Sequence, residues 1–332
     1  MVRLRAVHAA ALLLCAACAG PEILIENDSL GIGRGSDRNY TSGVRAMLAM
    51  PREEAPEWAR RVANGAFFWR DKPSEALVLS LGQNIYTPED IEEEELIEDD
   101  RPYAGWLYGG LAAYDVVWDE DELGARDRQN TLELVIGLIG PHSYAEDVQK
   151  WMHELIGSDE ARGWDNQLDD ELTAMLSFEV QHRLWRKSSE HFGADVITHL
   201  GGSAGTPYTL GGAGLDLRYG YGLPRDFGVG VNEPRLVTTA AVGNGDRVPS
   251  LYLFTGVRGQ GIAWNSFLDG NAFEDSHSVE REPWVADFKL GLAWQHGRWR
   301  VNYAWVYRTD EFEEYQGHGH VFGSLGFSWS AN

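Results

Sequence analysis

No run of apolar residues in this chain reaches the roughly 18 to 20 needed to cross a bilayer as a helix; charge or glycine interrupts each one well short of that. This constraint matters because residues 1–19 read as an export signal. Arg3 and Arg5 form a positive start, Ala9 to Ala17 form a short apolar stretch, and Ala17-Cys18-Ala19 fits a small-x-small cleavage site that leaves Gly20 first. The alternative is a lipoprotein signal with Cys18 lipidated, although Cys15 stands where such signals usually carry Leu. An exported chain that enters a membrane without a spanning helix must close into a β-barrel, because lipid offers no hydrogen-bond partner to an open strand edge.

Twelve segments of suitable length alternate apolar with polar residues: 22–28, 40–50, 77–86, 103–118, 131–139, 173–185, 195–202, 212–222, 250–263, 285–294, 298–308 and 320–329. In one of them Leu132, Leu134, Ile136 and Leu138 face away from Glu133, Val135 and Gly137. Aromatic residues near segment ends, among them Tyr86, Tyr103, Trp106, Trp118, Trp185, Trp284 and Trp294, suit membrane-interface girdles. A soluble β-sandwich with an aromatic core would show a similar pattern, and the export signal decides for the membrane. The expected fold is a single antiparallel transmembrane β-barrel of about twelve strands, formed by 20–332 as one domain. No repeat or linker divides the chain.

Two segments break the β pattern. Ser143 to Gly157 reads as a helix, with Val148, Met152, Leu155 and Ile156 on one apolar stripe and Gly157 as its stop. Glu89 to Asp100 holds Glu92 to Glu95, Glu98, Asp99 and Asp100, a charge run best read as a solvated loop.

The formal net charge of −23 excludes a phosphate-backbone binder, so no nucleic acid is expected as a partner. Both cysteines lie in the export segment, which removes thiolate nucleophiles and thiolate zinc sites from the exported chain. No Gly-x-Ser-x-Gly elbow, Gly-rich phosphate loop or His-Glu-x-x-His is expected. What remains is scattered. Glu26-Asn27-Asp28 ends the first strand with hard oxygen donors of the kind Ca²⁺ accepts, although Asn and Asp also simply start turns. Gln149 and His153, four residues apart, share one helix face beside the apolar stripe, and a histidine so placed can act as a general base. Ser158-Asp159-Glu160 and Gly163-Trp164-Asp165-Asn166-Gln167 could complete a metal site or merely face water.

In order and spacing these segments resemble the lipid A 3′-O-deacylase family. The matching stretches are Glu26 to Asp28, Asp37 to Gly43, Gly82 to Pro88, Asp100 to Tyr108, Ile139 to Pro141, Val148 to Gly157 and Gly163 to Gln167; the C-terminal half matches only as barrel strands, Arg308 to Phe312 included. The resemblance implies a twelve-stranded outer-membrane barrel, a monomer, with a helix in an extracellular loop. The activity implied is Ca²⁺-dependent hydrolysis of an ester-linked acyl chain of lipid A, the membrane anchor of lipopolysaccharide. It puts His153 at the general base and Asn27, Thr41 and Gln149 at other site positions. Asp28 becomes a Ca²⁺ ligand, with Asp159 (or Glu160) as a second. One departure stands out: Glu92 to Glu95 occupy the place of a basic cluster that pairs with lipid A phosphates in the best-known members. A non-catalytic barrel, either pore or structural, and an outer-membrane phospholipase are the competing expectations.

Overall fold

The structure is a computed structural model that describes residues 20–31, 39–66, 76–119, 127–229, 248–313 and 319–329. The expected export segment lies outside them. Twelve strands run β1 (Gly20–Asn27), β2 (Asn39–Pro51), β3 (Ala76–Thr87), β4 (Ala104–Val117), β5 (Arg128–Ile139), β6 (Glu171–Ser188), β7 (Phe192–Gly205), β8 (Tyr208–Tyr221), β9 (Ser250–Asn265), β10 (Trp284–His296), β11 (Trp299–Arg308) and β12 (His320–Trp329). Each pairs antiparallel with its sequence neighbour, and β1 pairs with β12, closing the barrel. Closure leaves no edge strand, the condition under which a sheet can stand in lipid.

Side-chain direction follows from contacts between strands that are not neighbours. The Arg45 guanidinium on β2 bonds Glu133 on β5, and also Ser80 on β3 at 2.9 Å, so all three point into the lumen. Arg258 on β9 meets Glu179 on β6, and Lys289 on β10 meets Asp216 on β8, in the same way. Residues an odd number of positions away face outward. There Leu134, Ile136, Leu172, Leu176, Leu200, Leu253, Leu290 and Leu292 are exposed, an apolar belt facing the lipid. The alternation expected in 131–139 holds.

The aromatic girdle needs correction. Trp185, Trp284 and Trp294 are outward and exposed, whereas Tyr86, Tyr103 and Trp106 are buried. The Tyr86 and Tyr208 hydroxyls share a 2.8 Å hydrogen bond from β3 to β8 across the lumen, and Phe267 stacks on Tyr86 at 4.1 Å between ring centres. Parity turns Tyr86 and Trp106 into the lumen, whereas Tyr103 is on the outer wall and is covered by Trp164 of the return loop.

Among the described residues three α-helices interrupt the strand order: α1 (Glu57–Ala66), α2 (Ala145–Ile156) and the short α3 (Ser266–Asp269). The expected helix is α2. α1 was not expected, since its inner face is only Ala59 and Ala63. These pack on Leu48, Leu77 and Ala113, each an odd number of positions from a lumen residue, so α1 lies on the outer wall. It sits at the barrel end that carries both described chain ends, with Trp58 and Val62 turned outward, one turn apart. α2 lies at the opposite end.

Candidate active site on the outer wall

Gly140 starts the path to α2 by turning the chain out of β5. Its φ is +103°, and a Cβ there would meet Asp169 and Asp170 main-chain atoms at 2.7 Å, so only glycine fits. The helix then lies against outward positions of β3 and β4. Gln83 Nε2 donates to the Ser143 carbonyl at 2.6 Å, Ile85 packs with Ala145 and Val148, and Gly105 lets Ala145 and Ser143 sit directly on the backbone of β4. Gly157, at φ +73°, ends the helix as expected, its N–H donating to the His153 carbonyl at 2.8 Å.

The sequence left open which side of α2 meets the wall. Of the described apolar stripe Met152 and Leu155 are exposed, as is Trp151, while Val148 alone packs inward. The polar pair Gln149 and His153 is buried, 3 % and 6 % exposed. The outward side is mixed, with Asp147 and Glu154 exposed beside Trp151, Met152 and Leu155.

The return loop holds both polar side chains. His153 Nδ1 is hydrogen-bonded to the Asp159 carbonyl, and Trp164 Nε1 donates to Gln149 Oε1 at 2.8 Å. A carbonyl oxygen only accepts, so Nδ1 carries the proton in that bond and Nε2 is the basic nitrogen of the neutral ring.

The second group of expected residues sits at the tops of β1 to β3. Asn27 Nδ2 donates to the Thr41 carbonyl at 3.1 Å, and its Oδ1 caps the 3-10 turn Asp28–Leu30 by accepting from the Ser29 N–H. The Thr41 and Thr87 hydroxyls share a 2.6 Å hydrogen bond. Thr87, Ile85 and Gln83 are successive outward positions of β3, roughly 7 Å apart. Thr87 holds Thr41, while the other two hold α2. That single row of one strand joins the Asn27–Thr41 group to the Gln149–His153 group, and sequence reading assigned no role to any of the three. Asp28 is buried beside Asn27; the Asp159 and Glu160 side chains are exposed. Among the described residues no group of three or more His, Cys, Asp or Glu converges. A hard cation would therefore draw on amide, hydroxyl and main-chain oxygens as well as carboxylates, which is ordinary for Ca²⁺.

Two further expectations are settled by position. Glu92 to Glu95 are exposed in a loop without regular structure, as a solvated charge run should be, and the Glu94 carbonyl accepts from Asn166 Nδ2 at 2.8 Å. Contrary to expectation, Gly201-Gly202-Ser203-Ala204-Gly205 does spell Gly-x-Ser-x-Gly. It lies inside the continuous strand β7, where Ser203 faces the lumen and shares a 2.8 Å hydrogen bond with Ser177. A nucleophile elbow needs a sharp strand-to-helix turn, so the match carries no chemistry.

The model of a family described as outer membrane protein LpxR matches residues 7–331. The chain belongs to that family. Among solved structures, LpxR from Salmonella typhimurium superposes with a TM-score of 0.74, at 16% identity over 94% of this chain and 99% of its own. The β domain of the Bordetella autotransporter BrkA gives 0.47 at 11% identity (94% and 99% covered), and the KdgM porin with disordered oligogalacturonate gives 0.39 at 7% (94% and 98%). No curated protein matches. Membership of the LpxR family places this barrel in the outer membrane, and the likeness to the Salmonella protein establishes the shared fold.

Proposed function

We propose that this chain is an outer-membrane esterase that removes the ester-linked 3′-O-acyloxyacyl chain from lipid A of lipopolysaccharide. One observation carries the reading: a buried His–Gln pair faces the outer wall of the barrel, on a helix that exposes Trp151, Met152 and Leu155 beside Asp147 and Glu154. A site in that place meets an acyl chain lying in the membrane, and the end of the barrel remote from the chain termini is then the extracellular one. His153, with Nδ1 committed to the Asp159 carbonyl, takes a proton from water at Nε2, and that water attacks the ester carbonyl. Asn27, Thr41 and Gln149 orient water and substrate. Asp28, with Asp159 or Glu160, supplies hard oxygen donors that suit Ca²⁺, which when bound gives Lewis-acid stabilisation of the oxyanion. No serine nucleophile is required.

The test is mass spectrometry of lipid A incubated with the detergent-purified barrel. The expected result is loss of one acyloxyacyl unit, stopped by excess chelator and by Asp28→Ala. Unchanged lipid A mass with a folded barrel in excess Ca²⁺ would sink the reading. Release of fatty acid from glycerophospholipids alone would make the protein a phospholipase instead.

A further inference from the structure

We propose that Trp164 is a positioning residue that fixes the Gln149 amide so that Nε2 is presented as an N–H donor to the carbonyl oxygen of the ester. The inference rests on the esterase reading and adds to it a residue and a direction. An indole N–H can only donate. The 2.8 Å bond from Trp164 Nε1 therefore requires the oxygen of the Gln149 amide on its side, whatever the ambiguity of amide assignment. The amide nitrogen must then point away from Trp164. That nitrogen is buried and has no hydrogen-bond partner among the described residues. Buried donors are nearly always paired, and one left open beside a candidate general base marks a place for a ligand acceptor. His153 is one helical turn away on the same face. An ester carbonyl that gains negative charge as water attacks is an acceptor of the right kind, and the donor would bond it most strongly in the transition state.

Trp164 is suited to hold a direction. It is fully buried, its ring packs at 5.0 Å from that of Tyr103, and Ile85, Ala145 and Ala161 close the same cluster. The Trp164 carbonyl accepts from the N–H of Gln167 at 3.2 Å and from its Nε2 at 3.0 Å. Rotation of the indole would break this packing, so the amide it holds cannot flip without cost.

The experiment compares Trp164→Phe, Gln149→Leu and the double variant, each purified as a barrel with an intact heat-modifiable gel shift. Gln149→Leu should lower kcat about 10²-fold, as loss of an oxyanion donor does. Trp164→Phe should lower kcat at least tenfold with little change in KM, and the double variant should be no worse than Gln149→Leu. Wild-type kcat in Trp164→Phe, or losses that multiply in the double variant, would overturn the proposal. A second arm does not depend on activity or on altering Trp164. The Trp164 indole N–H resonance in detergent micelles should move in Gln149→Leu, and an unmoved resonance refutes the hydrogen bond itself. If the wild-type barrel leaves lipid A intact, the esterase reading fails while the resonance still reports the bond, so the two failures are told apart.

Discussion

At the scale of single residues, two histidines eleven positions apart differ in environment, and the proposed mechanism uses only one of them. His153 is buried against the wall with its Nδ1 committed to the Asp159 carbonyl. His142 is exposed, and its ring and main-chain N–H both bond the Asp170 carboxylate. Burial alone would push Asp170 up, but those bonds from His142 hold it below the usual carboxylate range. His153→Ala should lower deacylation by about 10²–10⁴, the usual contribution of a general base. His142→Ala should stay within a few-fold of wild type. Lipid A mass per cell at equal barrel level measures both, and a wild-type rate in His153→Ala would remove the assigned mechanism. The sequence made His153 findable through its spacing from Gln149. It gave no sign of Thr87, Gln83 or Trp164, because their roles come from strands and loops far away in the chain.

At the scale of elements, the site depends on how closely α2 lies on β4. A Cβ on Gly105 would run into Ala145 Cβ and Ser143 Oγ, whereas one on Gly109, outward on the same strand, would find only the Ser80 carbonyl at 3.7 Å. Gly105→Ala should therefore lift the helix from the wall and lower deacylation at least tenfold, the order expected from an overpacking cost of about 1–3 kcal/mol placed directly on the site. Gly109→Ala should leave the rate unchanged. Both should keep the heat-modifiable gel shift, since α2 contributes nothing to strand pairing. Equal activity in the two variants would mean that the helix–wall spacing is not what the chemistry needs. The pattern identified α2 as a helix and placed it correctly along the chain; it left open which face meets the wall, because β3, β4 and the return loop decide that.

At the scale of the whole molecule, ion pairs among the described residues bridge the lumen. Arg218 and Arg300 converge on Asp226, which the β8–β9 connection brings to the barrel end away from the site, and Arg183 and Arg218 converge on Asp195. Burial alone would push Asp226 up, but the Arg300 and Arg218 guanidiniums outweigh it and hold the carboxyl at about 2. A depressed carboxylate stabilises the fold above its unfolded value of about 4, and that stabilisation is lost as pH falls through the folded value. The temperature at which the gel shift disappears should therefore drop between about pH 4 and pH 2. Asp226→Ala should lower it already at pH 7, because removing one partner of a buried pair costs about 3–5 kcal/mol, and should weaken the acid dependence. An Asp226→Ala barrel with wild-type heat stability at pH 7 would show that these pairs contribute nothing net.

The sequence by itself determined the barrel. An expected export signal, no apolar run long enough for a spanning helix and twelve alternating segments leave one solution that satisfies every backbone hydrogen bond in lipid, and the period of two assigns each side chain a face relative to its neighbours in the strand. It also determined which residue types could do chemistry, since few are left once cysteines and nucleophile motifs are set aside. Tertiary structure alone decided which face was lumen and which lipid for Tyr86 and Trp106, that α1 exists on the outer wall, and that α2 turns its polar pair inward. The physical reason is common to all three. Each depends on what lies across from the side chain, and that neighbour comes from a distant strand, from a return loop or from the membrane itself, none of which leaves a local periodic trace.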